Sequence, residues 1–275
     1  MLIDTKQSPN AKLVGLSYDD VCWTGGLYQE RINTCAKEMV PHLQKMFESK
    51  EVSHVLENFK IAAGEATGDF KGTVFGDGDF YKWMEAAIYT AVIDKNQVLL
   101  QQLEEYIELI RKAQQPDGYI STKQIIGEKS RKTQRMGDIN DFEVYNFGHL
   151  FTSACLYFRL TGKDNFLQIA EKAAGYLYQL YEEADKKQEV QTAVCPSHYM
   201  GLAELYRTTG NKKYLTLLKK SIFLRDSVQN GMDDNQDRRP LKEHNKIIGH
   251  AVRANYRCDR FMFGRGSARI GGGFT

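Results

Sequence analysis

No stretch of this chain approaches the roughly 18 unbroken apolar residues that a membrane span requires, so no membrane partner is expected. Its start, MLIDTKQSPNAKL, has no apolar h-region of a secretory signal, and a cytoplasmic location is the default expectation. Cysteines are sparse: Cys22, Cys35, Cys155, Cys195 and Cys258 are odd in number, scattered and free of any C-x-x-C. Neither a disulfide framework nor a self-contained zinc site follows from them. An excess of one charge is missing too, since 37 Lys and Arg face 35 Asp and Glu for a net +2. That balance argues against nucleic acid as the main partner. No G-x-x-x-x-G-K-[ST], G-x-S-x-G or H-E-x-x-H occurs, so P-loop, hydrolase-elbow and zincin chemistries fall away.

What the chain does hold is an ordinary folded composition, 42% hydrophobic and 26% charged, rich in rings with 15 Tyr and 14 Phe. Flat rings suit a sugar-binding cleft and equally fill a helical core. Apolar positions Ile32, Cys35, Ala36, Met39, Val40, Leu43, Met46 and Phe47 step by three and four, which predicts a helix from Tyr28 to Phe47 with Pro41 as a point for a kink. An apolar run, Val52 to Ala63, precedes a glycine-punctuated loop from Gly64 to Gly78. Further helices are expected at Phe80–Val92, Gln97–Ala113, Glu143–Leu160, Asn165–Glu183, Ser197–Thr208 and Lys213–Asp226, and a ninth from near Lys242 that carries His250. Between them, Lys123 to Asp141 reads as a long polar loop with a basic run, a solvated segment or a grip for an acidic polysaccharide or phosphate. No strand-length β-branched alternation competes, so the fold class is all-α.

The helices repeat. His149, His198 and His250 recur at intervals of 49 and 52 residues; His149 lies 13 residues before Gly162 and His198 lies 12 before Gly210. Units of about 50 residues, each a helix, a tight turn and a helix, curl into a six-hairpin toroid, of which about nine of twelve helices are present here. Three imidazoles at similar points of successive hairpins converge on one cavity in this reading, where each neutral ring can donate and accept to sugar hydroxyls. A zinc site of three histidines is the competing reading. At Gly76-Asp77-Gly78-Asp79-Phe80-Tyr81-Lys82-Trp83, Asp79 is either a helix N-cap or an edge of the same pocket. For a glycosidase with two carboxyl groups, Asp77, Asp79, Glu143 and Asp237 are the candidates.

Six ordered motifs carry a family resemblance. Trp23-Thr24-Gly25-Gly26 with Arg31, the Gly76 to Trp83 segment, Gln115-Pro116-Asp117-Gly118-Tyr119, Tyr145-Asn146-Phe147-Gly148-His149-Leu150, Cys195-Pro196-Ser197-His198 and Gly249-His250-Ala251-Val252-Arg253-Ala254 resemble the N-terminal half of the β-L-arabinofuranosidase family, glycoside hydrolase family 127, over roughly Val21 to Tyr256. The resemblance implies an (α/α)6 barrel followed by β-sandwich domains. It also implies retaining hydrolysis with a zinc-bound cysteine thiolate as nucleophile and a glutamate as acid/base. The family's pocket histidines match His149, His198 and His250, and Asp79 joins them as a substrate-binding candidate. The family's catalytic Glu and Cys motifs follow the Gly-His-Ala-Val-Arg-Ala segment, and Cys195 and Cys258 match none of them. Leu27-Tyr28 also replaces the Phe-Trp of many members.

The expectations are therefore a 1–20 extension, a partial (α/α)6 catalytic domain over 21–256 and a disordered Gly- and Arg-rich tail over 257–275, where the reading frame or gene model breaks near Tyr256. In this reading the β-sandwich domains are absent and the chain is truncated and hydrolytically inactive, holds no metal of its own, binds an arabinofuranoside-type sugar and self-associates through exposed helices. Two alternatives stand beside it: a six-hairpin glycosidase using its own carboxylates, and a non-catalytic helical sugar-binding module.

Overall fold

Two concentric arcs of helices organise the molecule. The computed structural model describes residues 6, 11–17, 20–129, 132–187, 193–228 and 230–256; the expected tail, 257–275, lies outside the described residues. Within them no strand occurs, and the α-helices are α1 (Gly26–Thr34), α2 (Val40–Glu48), α3 (Val55–Ala63), α4 (Gly76–Ile93), α5 (Gln97–Ala113), α6 (Thr122–Lys129), α7 (Glu143–Thr161), α8 (Asn165–Lys186), α9 (His198–Thr209) and α10 (Lys212–Asp226). Residues 251–256 form one further helical segment. Helices α2, α4, α7 and α9 pack in sequence as the inner arc, and α3, α5, α8 and α10 as the outer arc. The pairs α2–α3, α4–α5, α7–α8 and α9–α10 are four hairpins of an incomplete six-hairpin (α/α)6 toroid. No described helix is long and apolar enough to cross a membrane.

Sequence pattern decides which arc a helix joins. On α5 the buried residues Leu99, Leu103, Tyr106, Ile107 and Ile110 form one stripe, as a helix with a single covered face requires. Along α7 every residue from Tyr145 to Tyr157 is buried, because α4, α8 and α9 surround it. The inner helices α7 and α9 both end on a left-handed glycine, Gly162 at φ 74° and Gly210 at φ 71°, a conformation that glycine adopts without a Cβ clash. Asn96 and Asn211 cap the outer helices α5 and α10, accepting from Leu99 N at 3.1 Å and Lys213 N at 3.0 Å.

Four expectations change. The helix expected over Tyr28–Phe47 is divided by a π-helical turn, Cys35–Met39, just before Pro41. Proline has no N–H and its ring crowds the carbonyl a turn earlier, and the wider turn absorbs both. Helix α4 starts at Gly76 with Phe75 at the cap position, and Asp79 N donates to Phe75 O at 3.0 Å. Asp79 therefore sits inside the first turn and is not the N-cap. The polar segment Lys123–Asp141 contains α6, which buries Ile125 and Ile126 beside α3. Several of its described cations are held within the fold: Lys123 pairs with Asp141, Lys129 Nζ donates to Ile61 O at 2.9 Å, and Arg135 meets Asp117 and Glu128 at 2.8 Å. Near Lys242 there is only the turn Leu241–Glu243, and His250 precedes the 251–256 helix. Gly249, at φ 76° and pressed on Asp233 O, breaks the helical path there.

Candidate functional site

The N-terminal ends of α4 and α7 approach closely because Gly78 has no side chain. A Cβ there would meet Asn146 Oδ1 at 2.6 Å and Tyr145 Cε1 at 2.9 Å, and in its absence Gly78 N donates to Asn146 Oδ1 at 3.0 Å. The approach brings Lys82 of α4 to Tyr145 of α7, Nζ to hydroxyl at 2.7 Å, while the same ammonium pairs with Asp79 at 2.6 Å. One turn further along α7, His149 packs edge-on against the Tyr145 ring at 4.7 Å. From the 251–256 segment Tyr256 closes over both, its hydroxyl 3.0 Å from His149 Nε2. Cys195 borders this cluster beside Arg253, whose guanidinium also pairs with Asp234.

Burial sets the protonation of the cluster. Loss of water, then the positive charge of Lys82, push His149 down to about 3, so its ring is neutral at physiological pH. Burial likewise raises the Cys195 thiol despite Arg253, and the thiol form prevails, which leaves it a poor nucleophile. Cys155, fully buried, is pushed up to about 12 for the same reason.

The three histidines occupy different surroundings. His198 is 1% exposed, its ring stacked on Tyr181 at 6.2 Å and tilted on Tyr199 at 4.4 Å. Both of its ring nitrogens lack a hydrogen-bond partner among the described residues, and burial with the nearby Arg225 charge pushes it down to about 3. His250 is exposed and enters through its backbone, N to Asp234 O at 3.2 Å and O to Gln236 Nε2 at 3.3 Å. The ring neighbours of His149, Tyr145 and Tyr256, are not those of His198, so the described contacts bring His149 and Tyr256 together and leave the other two histidines apart.

The carboxylates sort by partner. Asp77 accepts from Thr122 N at 2.8 Å and Thr122 Oγ1 at 2.7 Å, and burial raises it to about 6. Glu143 accepts from the Tyr119 hydroxyl, from Met136 N at 2.8 Å and from Gln124 at 3.3 Å, and burial raises it to about 7. Asp237 closes its own loop, accepting from Met232 N at 2.7 Å and Asn235 at 2.6 Å. Of the four, Asp79 pairs with Lys82 of the His149 cluster, and Glu143 lines a cavity with Tyr145 and Cys195. Sequence reasoning passed over Tyr145, Tyr256 and Glu85, a half-buried carboxylate that accepts from Thr152 and, at 3.3 Å, from Ser153. The spacing of Tyr145, four residues before His149 and hence on the same helix face, was a usable signal. Among the described residues no three His, Cys, Asp or Glu side chains converge as metal donors, and His149, His198 and His250 are not brought together as a triad.

The family described as Beta-L-arabinofuranosidase, GH127 catalytic domain, matches residues 20–271, a span that runs past Tyr256. The non-reducing end β-L-arabinofuranosidase of Bifidobacterium longum subsp. longum is 31% identical over 258 residues, which are 85% of this chain and 38% of that protein. A crystal structure of a GH127 β-L-arabinofuranosidase from Geobacillus stearothermophilus T6 superposes with a TM-score of 0.78 at 31% identity, covering 86% of this chain and 40% of that one. A second GH127 β-arabinofuranosidase structure gives 0.73 at 28% identity, covering 86% and 38%. This chain thus spans about two fifths of the length of the relatives it matches. With the helical arcs, the ordered motifs and the matched span in agreement, the chain belongs to the GH127 β-L-arabinofuranosidase catalytic-domain family.

Proposed function

We propose that this chain forms the histidine-bearing wall of an arabinofuranoside-binding cleft. The observation that carries the reading is the cluster of Lys82, Tyr145, His149 and Tyr256 at the N-terminal ends of inner helices, where rings and hydroxyls stand beside a neutral imidazole. Such a set supplies the flat apolar face and the paired donors and acceptors that a sugar requires. The activity of the relatives, β-L-arabinofuranosidase, supports the choice of sugar. His198 contributes two buried nitrogens that have no hydrogen-bond partner among the described residues. His250 and Asp79 stand at the rim.

We further infer that these 275 residues bind without turning over. Retaining hydrolysis needs a nucleophile and an acid/base group, and Cys195 holds its proton while Asp77, Glu143 and Asp237 are committed to internal hydrogen bonds. Asp79 is locked to Lys82, which disfavours a glycosidase acting through its own carboxylates. The purified chain, given a chromogenic β-L-arabinofuranoside with zinc and a thiol reductant, is expected to show no release above a heat-killed control. Turnover would refute this. Turnover abolished by Asp79→Asn would establish the carboxylate enzyme instead.

A further inference from the structure

Glu143 is a buried carboxyl that ties three neighbouring segments together. Its Oε1 accepts from Met136 N at 2.8 Å and from Gln124 of α6 at 3.3 Å, and its other oxygen bonds the Tyr119 hydroxyl. No cation among the described residues pairs with it. Lys123 pairs with Asp141, which also takes the Gln124 amide at 2.5 Å, and Arg135 lies over the Tyr119 ring while Asp117 and Glu128 share its charge. The other titratable neighbours are Tyr176, whose ring meets Tyr119, and Asp138, Tyr145 and Cys195, which line a cavity of about 350 Å³ with Glu143. None of these supplies a positive charge. An ionised carboxylate held here is therefore unpaired, a state that burial makes costly.

Segment 136–142 is also held under strain. Met136 at φ 53° and Phe142 at φ 58° are non-glycine residues in the left-handed region, a conformation that persists only where contacts enforce it. Those contacts are the Met136 N–H on Glu143 and the packing of Phe142, edge-on to Tyr145 at 5.6 Å and to Phe75 at 5.7 Å. Phe142 also packs against the buried residues Val194 and Cys195.

We propose that Glu143 is a pH-operated latch on segment 136–142, closed while its carboxyl is protonated and released when it ionises, so that the Cys195 thiol becomes accessible. A neutral carboxyl still accepts at Oε1 from Met136 and Gln124, and both strained residues stay in place. Once ionised, the group is drawn to water, and its departure frees the Met136 N–H and lets both residues leave the left-handed region. Loss of water, and to a lesser degree the charge of Asp141, push the carboxyl up to about 7. The closed state holds the extra proton, so it is favoured below that value and loses ground above it. Withdrawal of Phe142 from Tyr145 also alters the ring cluster at His149; that consequence alone rests on the sugar-binding reading.

Pulse labelling with N-ethylmaleimide, read at the Cys195 peptide by mass spectrometry, measures the opening, and Glu143→Gln supplies a side chain of the same shape that never ionises. The wild-type rate divided by the variant rate at the same pH is expected to rise roughly tenfold from about pH 6 to about pH 8, because the ionised fraction of a group at about 7 goes from about a tenth to about nine tenths. Taking the ratio removes the thiol's own titration. A ratio that stays level would overturn the proposal. If Glu143→Gln does not fold, hydrogen exchange of wild-type residues 134–142 decides. Their protection, corrected for intrinsic base catalysis, is expected to fall over the same interval, and constant protection would overturn the latch. Neither readout involves a sugar, so failure of the sugar-binding reading has a separate signature, namely arabinofuranoside binding to His149→Ala that equals wild type.

Discussion

Successive residues of an α-helix are rotated by about 100° from one another, and this rotation separates two histidines that look alike in sequence. Counted back from the terminating glycines, His149 lies 13 positions away and His198 lies 12. One position turns the side chain to a different neighbour, Tyr145 and Tyr256 in one case, Tyr181 and Tyr199 in the other. The same scale holds a consequence of burial at Glu143. Its carboxyl is raised to about 7 by desolvation, above the ordinary carboxylate range, so the folded chain binds more protons than the unfolded chain in between. Stability from this group is full at low pH and falls as pH rises toward the folded value. Asp77, raised to about 6, adds to the same fall. A shift of one unit corresponds to about 1.4 kcal/mol. Urea unfolding of wild type from about pH 5 to about pH 8 is therefore expected to show a decline of up to a few kcal/mol, and Glu143→Gln is expected to flatten it. An equal slope in both proteins would show that Glu143 is not its source.

At the scale of elements, the inner arc is built on close approach. A Cβ on Gly148 would run into Ser197 and the backbone N of His198, and one on Gly201 would lie 2.6 Å from Gly148 O. Overpacking of this kind costs roughly 1–3 kcal/mol. Gly148→Ala should therefore lower the denaturation midpoint by a corresponding amount, whereas Gly175→Ala, which meets nothing, should leave it unchanged or raise it. Helix existence was legible in the sequence wherever apolar spacing was strong: α5 was expected with its observed ends Gln97 and Ala113, and α7 to α10 within a few residues. Where local signals conflicted, tertiary structure decided. Gly76 and Gly78 read as loop residues, yet they begin α4, where the missing side chain of Gly78 lets α7 dock and that of Gly76 leaves room for Val55 of α3. Helix α6 hid inside a basic run in which Lys123 pairs with Asp141 and Lys129 donates to the Ile61 carbonyl, partners that the local sequence does not display. For the site, His149 and Lys82 lay in motifs the sequence displayed. The part played by Tyr256 was not legible, because it depends on how the 251–256 segment folds back over α7.

For the whole molecule, the open arc leaves apolar side chains at its two ends. Trp23, Leu27, Tyr28, Met39 and Leu43 are exposed toward the first hairpin, and Phe223, Met232, Ile247 and Val252 toward the last. Apolar surface gathered in this way drives association. Sedimentation velocity of the chain is expected to show a weight-average mass that rises with concentration, and Leu27→Glu with Tyr28→Glu is expected to reduce that rise. A mass fixed at the 31.4 kDa of one chain over the whole range would remove self-association from the account.

Binding at His149 tests the central claim most directly. Calorimetric titration of the chain with methyl β-L-arabinofuranoside, set beside the same titration of His149→Ala with its fold verified by circular dichroism, is expected to show saturable heat in wild type and at least a tenfold loss of affinity in the variant. Indistinguishable titrations of the two proteins, or no heat from either, would contradict the assignment of this helical arc as a sugar-binding wall.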